Sequence, residues 1–556
     1  MMGRGSEALW RGGALALSLF LILPLAAVAW IALSAQADVW PHLIATVLPG
    51  YVQRTVLLMA GVGVLTLVIG TGTAWLVSMC EFPLRRWFSW ALVLPLAMPG
   101  YIIAYTYVHS FEFAGPVQTA LRAAFGWRHG DYWFPEIRSM AGAVTVMSLV
   151  LYPYVFLTAR AAFLKLSPHH MEAARTLGRS PWGAFFRVAL PLARPALAVG
   201  VTLAVMEAIN DIGAVNFFGV RTLSLGIYTT WLAQGNLGGA AQIAGVMLIF
   251  VFGLIWIEQR GRRAQGFHSR GHQDAPSRRV ELGGFNGWAA FAACLIPCVL
   301  GFVLPAVILF SFAVEHGGML EDAAFHRASR NTLLLAAAAA AVTVMAGLFL
   351  AYAKRMARGR VVAFTVKLAS IGYAVPGTVL GIGILVPLSG FDNGLDAFMR
   401  AQFGISTGLI LSGTVFAVML GYAIRFLAIS FGNLETGLER VTPSLSAAAR
   451  TLGRGPFATL MSIHIPLLRP AMGAALLLVF VDCMKELPAT LILRPFDFDT
   501  LATLVYALAS LDQLEESALP ALAIVAAGIL PVILISRGMA RDAEKKAPIF
   551  PDLTAG

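Results

Sequence analysis

Four carboxylates stand in two matched pairs inside a strongly apolar chain. Met206-Glu207-Ala208-Ile209-Asn210-Asp211 closes one apolar run, and Asp482-Cys483-Met484-Lys485-Glu486 lies at the end of another. Glu207 and Asp482 are 275 positions apart, and so are Asp211 and Glu486. Within each pair the i, i+4 spacing would put both carboxyl groups on one face of a helix. Acids in an apolar span are costly and point to function by default. Four carboxylates along one pathway would offer hard oxygen ligands suited to a hard cation. No stable metal site is expected; the four are candidates for a pathway or gate. The plainer alternatives are that Glu486 pairs locally with Lys485 or Arg494, that Asp211 sits in water at the end of its span, or that the acids lock the halves together.

The elements that must position these residues are membrane helices. The chain has 556 residues, 58% hydrophobic and 12% charged, with mean hydropathy +0.77. A soluble domain carries about twice that charged fraction. Windows of roughly 20 apolar residues recur, each long enough as a helix to cross a core of about 30 Å. Helices are required because lipid offers no partners to backbone N–H and C=O groups. Twelve spans are expected near 12–33, 55–79, 88–110, 139–159, 192–210, 241–257, 288–314, 331–353, 362–388, 407–430, 470–493 and 519–536. The chain start, with Arg4, Arg11 and then an apolar run ending before Ser34-Ala35-Gln36-Ala37, is similar to a signal peptide. Its apolar stretch exceeds the 7–15 residues of a cleavable one, so it reads as a retained first span.

The net charge of +11 is distributed by side rather than in one basic face. With the N-terminus inside, only nine of the 40 Lys and Arg fall in outer loops. This positive-inside bias places both termini in the cytoplasm and leaves nothing for nucleic acid to explain. Arg425 and Lys485 fall in or at the edge of spans. Cys80, Cys294, Cys298 and Cys483 form no disulfide framework; Cys294 and Cys298 share a helix face and read as small apolar filler.

The 275-residue offset extends well beyond the acids. Glu172-Ala173-Ala174-Arg175-Thr176-Leu177-Gly178, nine residues, then Val188-Ala189-Leu190-Pro191 is repeated as Ala447-Ala448-Ala449-Arg450-Thr451-Leu452-Gly453, nine residues, then Ile463-His464-Ile465-Pro466. Ser167-Pro168 and Thr442-Pro443 provide a helix cap and a first-turn proline, and Gly178 and Gly453 a left-handed stop. Each segment predicts a helix of about ten residues, near 168–178 and 443–453, on the cytoplasmic side. A helix this short is unstable alone in water, so a partner must pack on it. Two matched helices suit a two-fold symmetric partner. Residues 1–258 form one repeat of six spans, 259–287 an Arg-rich cytoplasmic linker, and 288–556 a second repeat. Parallel repeats imply an axis along the membrane normal.

Glu-Ala-Ala, three residues, Gly, nine residues, then Ile-x-Leu-Pro is the cytoplasmic signature of ABC importer permeases. The segment from Glu172 to Pro191 resembles it with one conservative change; the second copy departs further, because Ala447 stands at the glutamate position. The resemblance implies an all-α polytopic fold of the type I ABC importer (MetI-like) class, with coupling helices that seat in two copies of a cytoplasmic ABC ATPase. Glu172, Ala173, Ala174, Gly178, Pro191, Ala447, Ala448, Ala449, Gly453 and Pro466 would then carry the coupling. The sequence has no Gly-Lys dipeptide and hence no phosphate-cradling loop. The chain is thus expected to be no enzyme and to bind no cofactor itself, with ATP-Mg used by the partner.

The stretch 206–220 and the stretch Met484-Lys485-Glu486-Leu487-Pro488-Ala489-Thr490-Leu491 with Leu493-Arg494-Pro495 resemble ferric-iron permeases. That resemblance implies a bacterial inner-membrane protein fed by a periplasmic ferric-ion-binding protein. Thiamine and polyamine permeases share the architecture. The acidic outer loop Pro495–Ser517, with Arg221 and Phe217-Phe218, is a candidate docking area for the donor. An ion-gradient-driven secondary transporter and a non-transporting scaffold remain as rival classes, but neither gives a reason for two capped cytoplasmic helices.

Overall fold

The computed structural model describes residues 4–34, 39–128, 130–164, 166, 176–178, 180–265, 279–315, 317–357 and 359–544. Within them the chain is helical apart from one two-residue parallel bridge, β1 (Cys80–Glu81) against β2 (Val280–Glu281). Eleven helices are long and apolar enough to span a membrane, or up to twelve if a bent pair counts as one. The principal helices are α1 (Arg4–Ser34), α2 (Leu48–Met79), α3 (Arg85–Ala91), α4 (Gly100–Phe111), α5 (Met140–Phe163), α6 (Leu190–Asn210), α7 (Ile212–Phe217), α8 (Leu237–Gln265) and α9 (Gly284–Cys298). They continue with α10 (Leu304–Glu315), α11 (Ala323–Met356), α12 (Arg360–Ala369), α13 (Gly377–Phe403), α14 (Val415–Glu439), α15 (Pro443–Thr451), α16 (Ile465–Met484), α17 (Pro488–Leu493) and α18 (Leu514–Glu544).

Three span boundaries differ from expectation, each for a local reason. The run near 362–388 is not one helix. α12 ends at Ala369, a single tight turn follows, and Pro376, which lacks an N–H, holds extended backbone before α13 restarts at Gly377. The first repeat does the same at Pro99-Gly100, where the chain bends by 88°. The run near 407–430 starts later, at Val415, where Thr414 caps the helix by accepting from Phe416 N. The run near 470–493 ends at Met484, and residues after it form the separate helix α17.

The chain divides into two compact units that cut across the two sequence repeats. One unit comprises Met1–Pro49, Leu223–Leu248 and Gly318–Ala507. In it α1 packs on α11, α12 and α13, with the Trp10 ring 5.3 Å from Phe349 and 5.0 Å from Tyr352. α11, α14 and α16 form its centre, and Ser430 Oγ donates to Thr343 O at 3.1 Å where α14 crosses α11. The other unit comprises Gly50–Thr222, Ile249–Gly317 and Leu508–Gly556. Its core gathers α2, α5 and the start of α6 around Trp75, which lies 5.5 Å from Phe163 and 4.8 Å from Phe185. Gly70 lets α2 approach α5 closely, since a Cβ there would lie 2.6 Å from Val155. Thus each repeat contributes its first and last helices to the unit built mainly by the other. Large apolar side chains such as Leu19, Phe20, Leu23, Val64 and Val68 remain exposed along the spans, as expected where the solvent is lipid.

Candidate functional site: two broken helices and their carboxylates

Both pairs of acids sit where a membrane helix stops and restarts, so neither pair lies on one continuous helix face. α6 ends at Asn210, Asp211 leaves helical geometry at φ −81°, ψ 90°, and α7 begins at Ile212. Asp211 caps that new helix, its Oδ1 accepting from Ala214 N at 2.9 Å. In the second repeat α16 ends at Met484, and the Glu486 Oε1 accepts from Ala489 N at 3.1 Å in the first turn of α17. The second acid of each pair has therefore become the starter of a six-residue helix.

A second helix start meets each of these acids. A Cβ on Gly100, the first residue of α4, would collide with Asp211 Oδ2. A Cβ on Gly377, the first residue of α13, would lie 2.9 Å from Glu486 Oε1 and 2.7 Å from Ala489 N. Glycine is required at both positions because a carboxylate occupies the space a side chain would take. The arrangement brings a negative group to the free N–H groups and positive dipole end of a helix inside the membrane, where a charge needs a fixed partner. The Pro-Gly pairs were not singled out in the sequence; their recurrence near the acid offset is the signal that would have found them.

Beyond this shared plan the two sites diverge. Glu486 and Arg425 form an ion pair, Nε to Oε2 at 3.1 Å, with each side chain only 5% exposed. One turn away on α14, Tyr422 and Thr490 share a hydroxyl–hydroxyl bond at 2.5 Å, tying α14 to α17. Asp482 pairs with Lys485 at 2.8 Å, and Arg494 pairs with Asp499. The local partners expected for Glu486, Lys485 and Arg494, are thus both engaged elsewhere, and the partner comes from a different helix. In the first repeat Val150 stands at the position equivalent to Arg425, Met147 at that of Tyr422 and Asn210 at that of Lys485. Glu207 is half-buried and makes no ion pair among the described residues. Asp211, also half-buried, is not simply in water at a span end. Among the described residues no cluster of three or more His, Cys, Asp or Glu could hold a metal ion.

The cytoplasmic segments keep their common geometry. Gly178 and Gly453 take φ of +73° and +75°, the left-handed stop that favours glycine. Arg454 N donates to Ala449 O at 3.0 Å, which closes the end of α15. Ala447 and Ala448 are exposed and Ala449 is buried. Glu172, Ala173 and Ala174 lie outside the described residues. Leu177 and Leu452, the equivalent leucines before each glycine, are both 79% exposed. Beyond the glycines both copies make one wide turn, Phe185–Ala189 and Leu460–His464, before Pro191 and Pro466 occupy the second residue of α6 and α16. One difference stands out: His464 is buried, and its Nε2 meets Ser446 Oγ of α15 at 3.1 Å, whereas the first copy has Ala189.

A helical bundle of this length with two internal repeats, broken helices carrying buried acids, and matched exposed loop helices defines a membrane transport permease. Residues 66–259 match the family described as the inner membrane component of binding-protein-dependent transport systems. Over 493 residues, 87% of this chain and 89% of the relative, the sequence is 25% identical to the Fe(3+)-transport system permease protein FbpB 2 of Haemophilus influenzae. It is 25% identical to the ferric transport system permease protein FbpB of Actinobacillus pleuropneumoniae over 480 residues, covering 81% of this chain and 66% of that one. The molybdenum transport system permease protein ModB of Escherichia coli is 29% identical over 211 residues, 36% of this chain. The chain is a fused, two-repeat inner-membrane permease of a binding-protein-dependent ABC importer, and it resembles the ferric permeases.

Proposed function

We propose that this permease carries ferric iron from a periplasmic binding protein into the cytoplasm. The observation that carries this reading is the likeness to an Fe(3+) permease along nearly the whole length of both chains. The likenesses to molybdenum, sulfate and 2-aminoethylphosphonate permeases cover less than half of this chain. The acids at the broken helices support a cationic cargo; those permeases suggest anions instead, which an acid-lined route would repel. Glu207, Asp211, Asp482 and Glu486 are the candidate pathway or gating groups in this reading.

Transport runs by alternating access. Two copies of a separate ATPase receive the segments near 168–178 and 443–453. Glu172, Ala173 and Ala174 act with Gly178 and Pro191 in one contact, and Ala447, Ala448 and Ala449 with Gly453 and Pro466 in the other. ATP-Mg binds to the ATPase, and it shifts the permease only as far as it favours one conformation over the other. Both termini lie in the cytoplasm, consistent with the bias of Lys and Arg. Because Ala447 stands opposite Glu172, the two ATPase contacts are unequal in charge.

Uptake of labelled ferric ion by vesicles holding the permease, its ATPase and its donor protein tests the reading. Competition by ferric ion, and no competition by thiamine, spermidine or molybdate, is the expected result. Inhibition by thiamine or spermidine alone would transfer the assignment to those cations, and inhibition by molybdate alone would end the cation reading.

A further inference from the structure

Away from the carboxylates, one end of the first repeat collects arginines that neither the proposed transport route nor the coupling segments use. Arg85 and Arg86 open α3, Arg160 lies in the last turn of α5, and Arg279 precedes β2. All four belong to one compact unit. The β1–β2 bridge fixes Arg279 beside the end of α2, with Leu282 N donating to Glu81 O at 3.0 Å. Glu81 takes both Arg85, at 3.0 Å, and Arg279, at 3.7 Å. Arg85 also donates to Val77 O at 3.1 Å, and Arg160 to Ser89 O at 3.1 Å. Arg85 and Arg279 are in turn the charged neighbours of Arg160. Burial, then the adjacent Arg85, holds the Arg279 guanidinium below its ordinary range. Against four guanidiniums stand Glu81 and the exposed Glu281 that follows Val280 in β2. The cluster keeps a net positive charge of about two in a place that is partly dry.

The surroundings identify the solvent on its outer side. Trp87, Phe285 and Trp288 are 61%, 86% and 62% exposed at the ends of their helices. Phe88 and Trp288 both pack on Phe291, at 5.4 and 5.5 Å, so α3 and the start of α9 form one aromatic rim. Exposed tryptophans at span ends mark the boundary between acyl chains and water. The second repeat lacks this chemistry. Val361 and Val362 replace Arg86 and Trp87, and Glu435 replaces Arg160 and is neutralised by Lys354 at 2.5 Å.

We propose that Arg85, Arg86, Arg160 and Arg279 form a binding site for the phosphate head group of an anionic phospholipid at the cytoplasmic face of the first repeat. Guanidiniums bind phosphate oxygens through paired N–H donors, and basic pockets between spans on this side of a membrane suit acidic head groups. Arg85 and Arg160 are held by backbone carbonyls and form the floor. Arg86 and Arg279 are more exposed and close on the phosphate. The aromatic rim receives the glycerol and upper acyl region.

Native mass spectrometry of the permease purified with its ATPase tests this, with phosphatidylglycerol, phosphatidylcholine or inorganic phosphate added. Phosphatidylglycerol adducts should persist where phosphatidylcholine adducts do not. Arg86→Gln with Arg279→Gln should weaken phosphatidylglycerol retention by about tenfold or more, at roughly 1 kcal/mol per charge. Lysine at both positions should retain most of it. Equal retention of the two lipids, or unchanged retention in the glutamine variant, would overturn the site. Displacement of the lipid by an equal concentration of inorganic phosphate would overturn the lipid assignment. Loss of the ATPase with lipid retention unchanged would reassign the surface to protein docking. The two wild-type lipid arms decide the matter even if the glutamine variant assembles poorly.

Discussion

The acids of the first repeat and those of the second occupy equivalent places in the chain and start equivalent helices, yet they are neutralised differently. In the second repeat every acid has a basic partner: Asp482 has Lys485, and Glu486 has Arg425. In the first repeat Asn210 and Val150 stand in those basic positions, and Glu207 makes no ion pair among the described residues. The same backbone device is thus built once as a pinned joint and once as a lightly held one. A buried pair adds little stability over an apolar equivalent, but removing one partner is costly. The second break is therefore rigid because it cannot be partly undone, and the first is the one free to change its charge state or its contacts.

The sharpest way to break this comparison is to remove Arg425. Arg425→Ala should cost about 3–5 kcal/mol by leaving Glu486 buried and uncompensated, read as a fall in thermal unfolding temperature and in membrane accumulation. Arg425→Met with Glu486→Gln should recover most of that loss. If Val150→Ala in the first repeat were equally costly, the difference between the two joints would vanish.

Next in size are the glycine stops. Gly453→Pro and Gly178→Pro should each abolish copurification of the ATPase, because proline cannot take φ near +75°. Assembly and uptake unchanged in both variants would remove the coupling role. If only one were tolerated, the unequal contacts expected from Glu172 and Ala447 would be sharpened.

A smaller effect is expected from the half-buried acids. Glu207→Ala combined with Asp482→Ala should lower uptake by about tenfold without loss of folding, and full transport would leave these residues structural. Glu207→Ala alone should account for most of the loss, since Asp482 is already neutralised by Lys485. The smallest change should come from Asp211→Asn, which keeps an acceptor for Ala214 N; the cost should be under about 1 kcal/mol in thermal unfolding.

Much of this was legible in the sequence because it rests on period and composition. The spans followed from apolar runs, and the stops at Gly178 and Gly453 followed from the residue type that tolerates positive φ. What stayed hidden depends on which helix meets which. The i, i+4 spacing of Glu207 and Asp211 suggested one helix face, but Asp211 competes for backbone N–H groups as a cap and ends the helix instead. Arg425 was visible as a charge in a span, yet nothing local ties it to Glu486. The Arg85 and Arg160 cluster likewise requires α3 and α5 to end at the same level, which periodicity alone does not set.

The exchange of terminal helices between repeats has a consequence for biosynthesis. α1 is the first span to leave the ribosome, but the helices it packs on begin only at Ala323. At about 5–20 residues per second, the interval between Ser34 and Ala323 is roughly 15–60 s. During that time α1 is inserted but has no permanent neighbour in its own chain. A newborn copy therefore depends on the insertion machinery, or on lipid itself, to hold its leading helix until the second repeat arrives. Severing the chain within 259–287 would turn that delay into a search between two polypeptides.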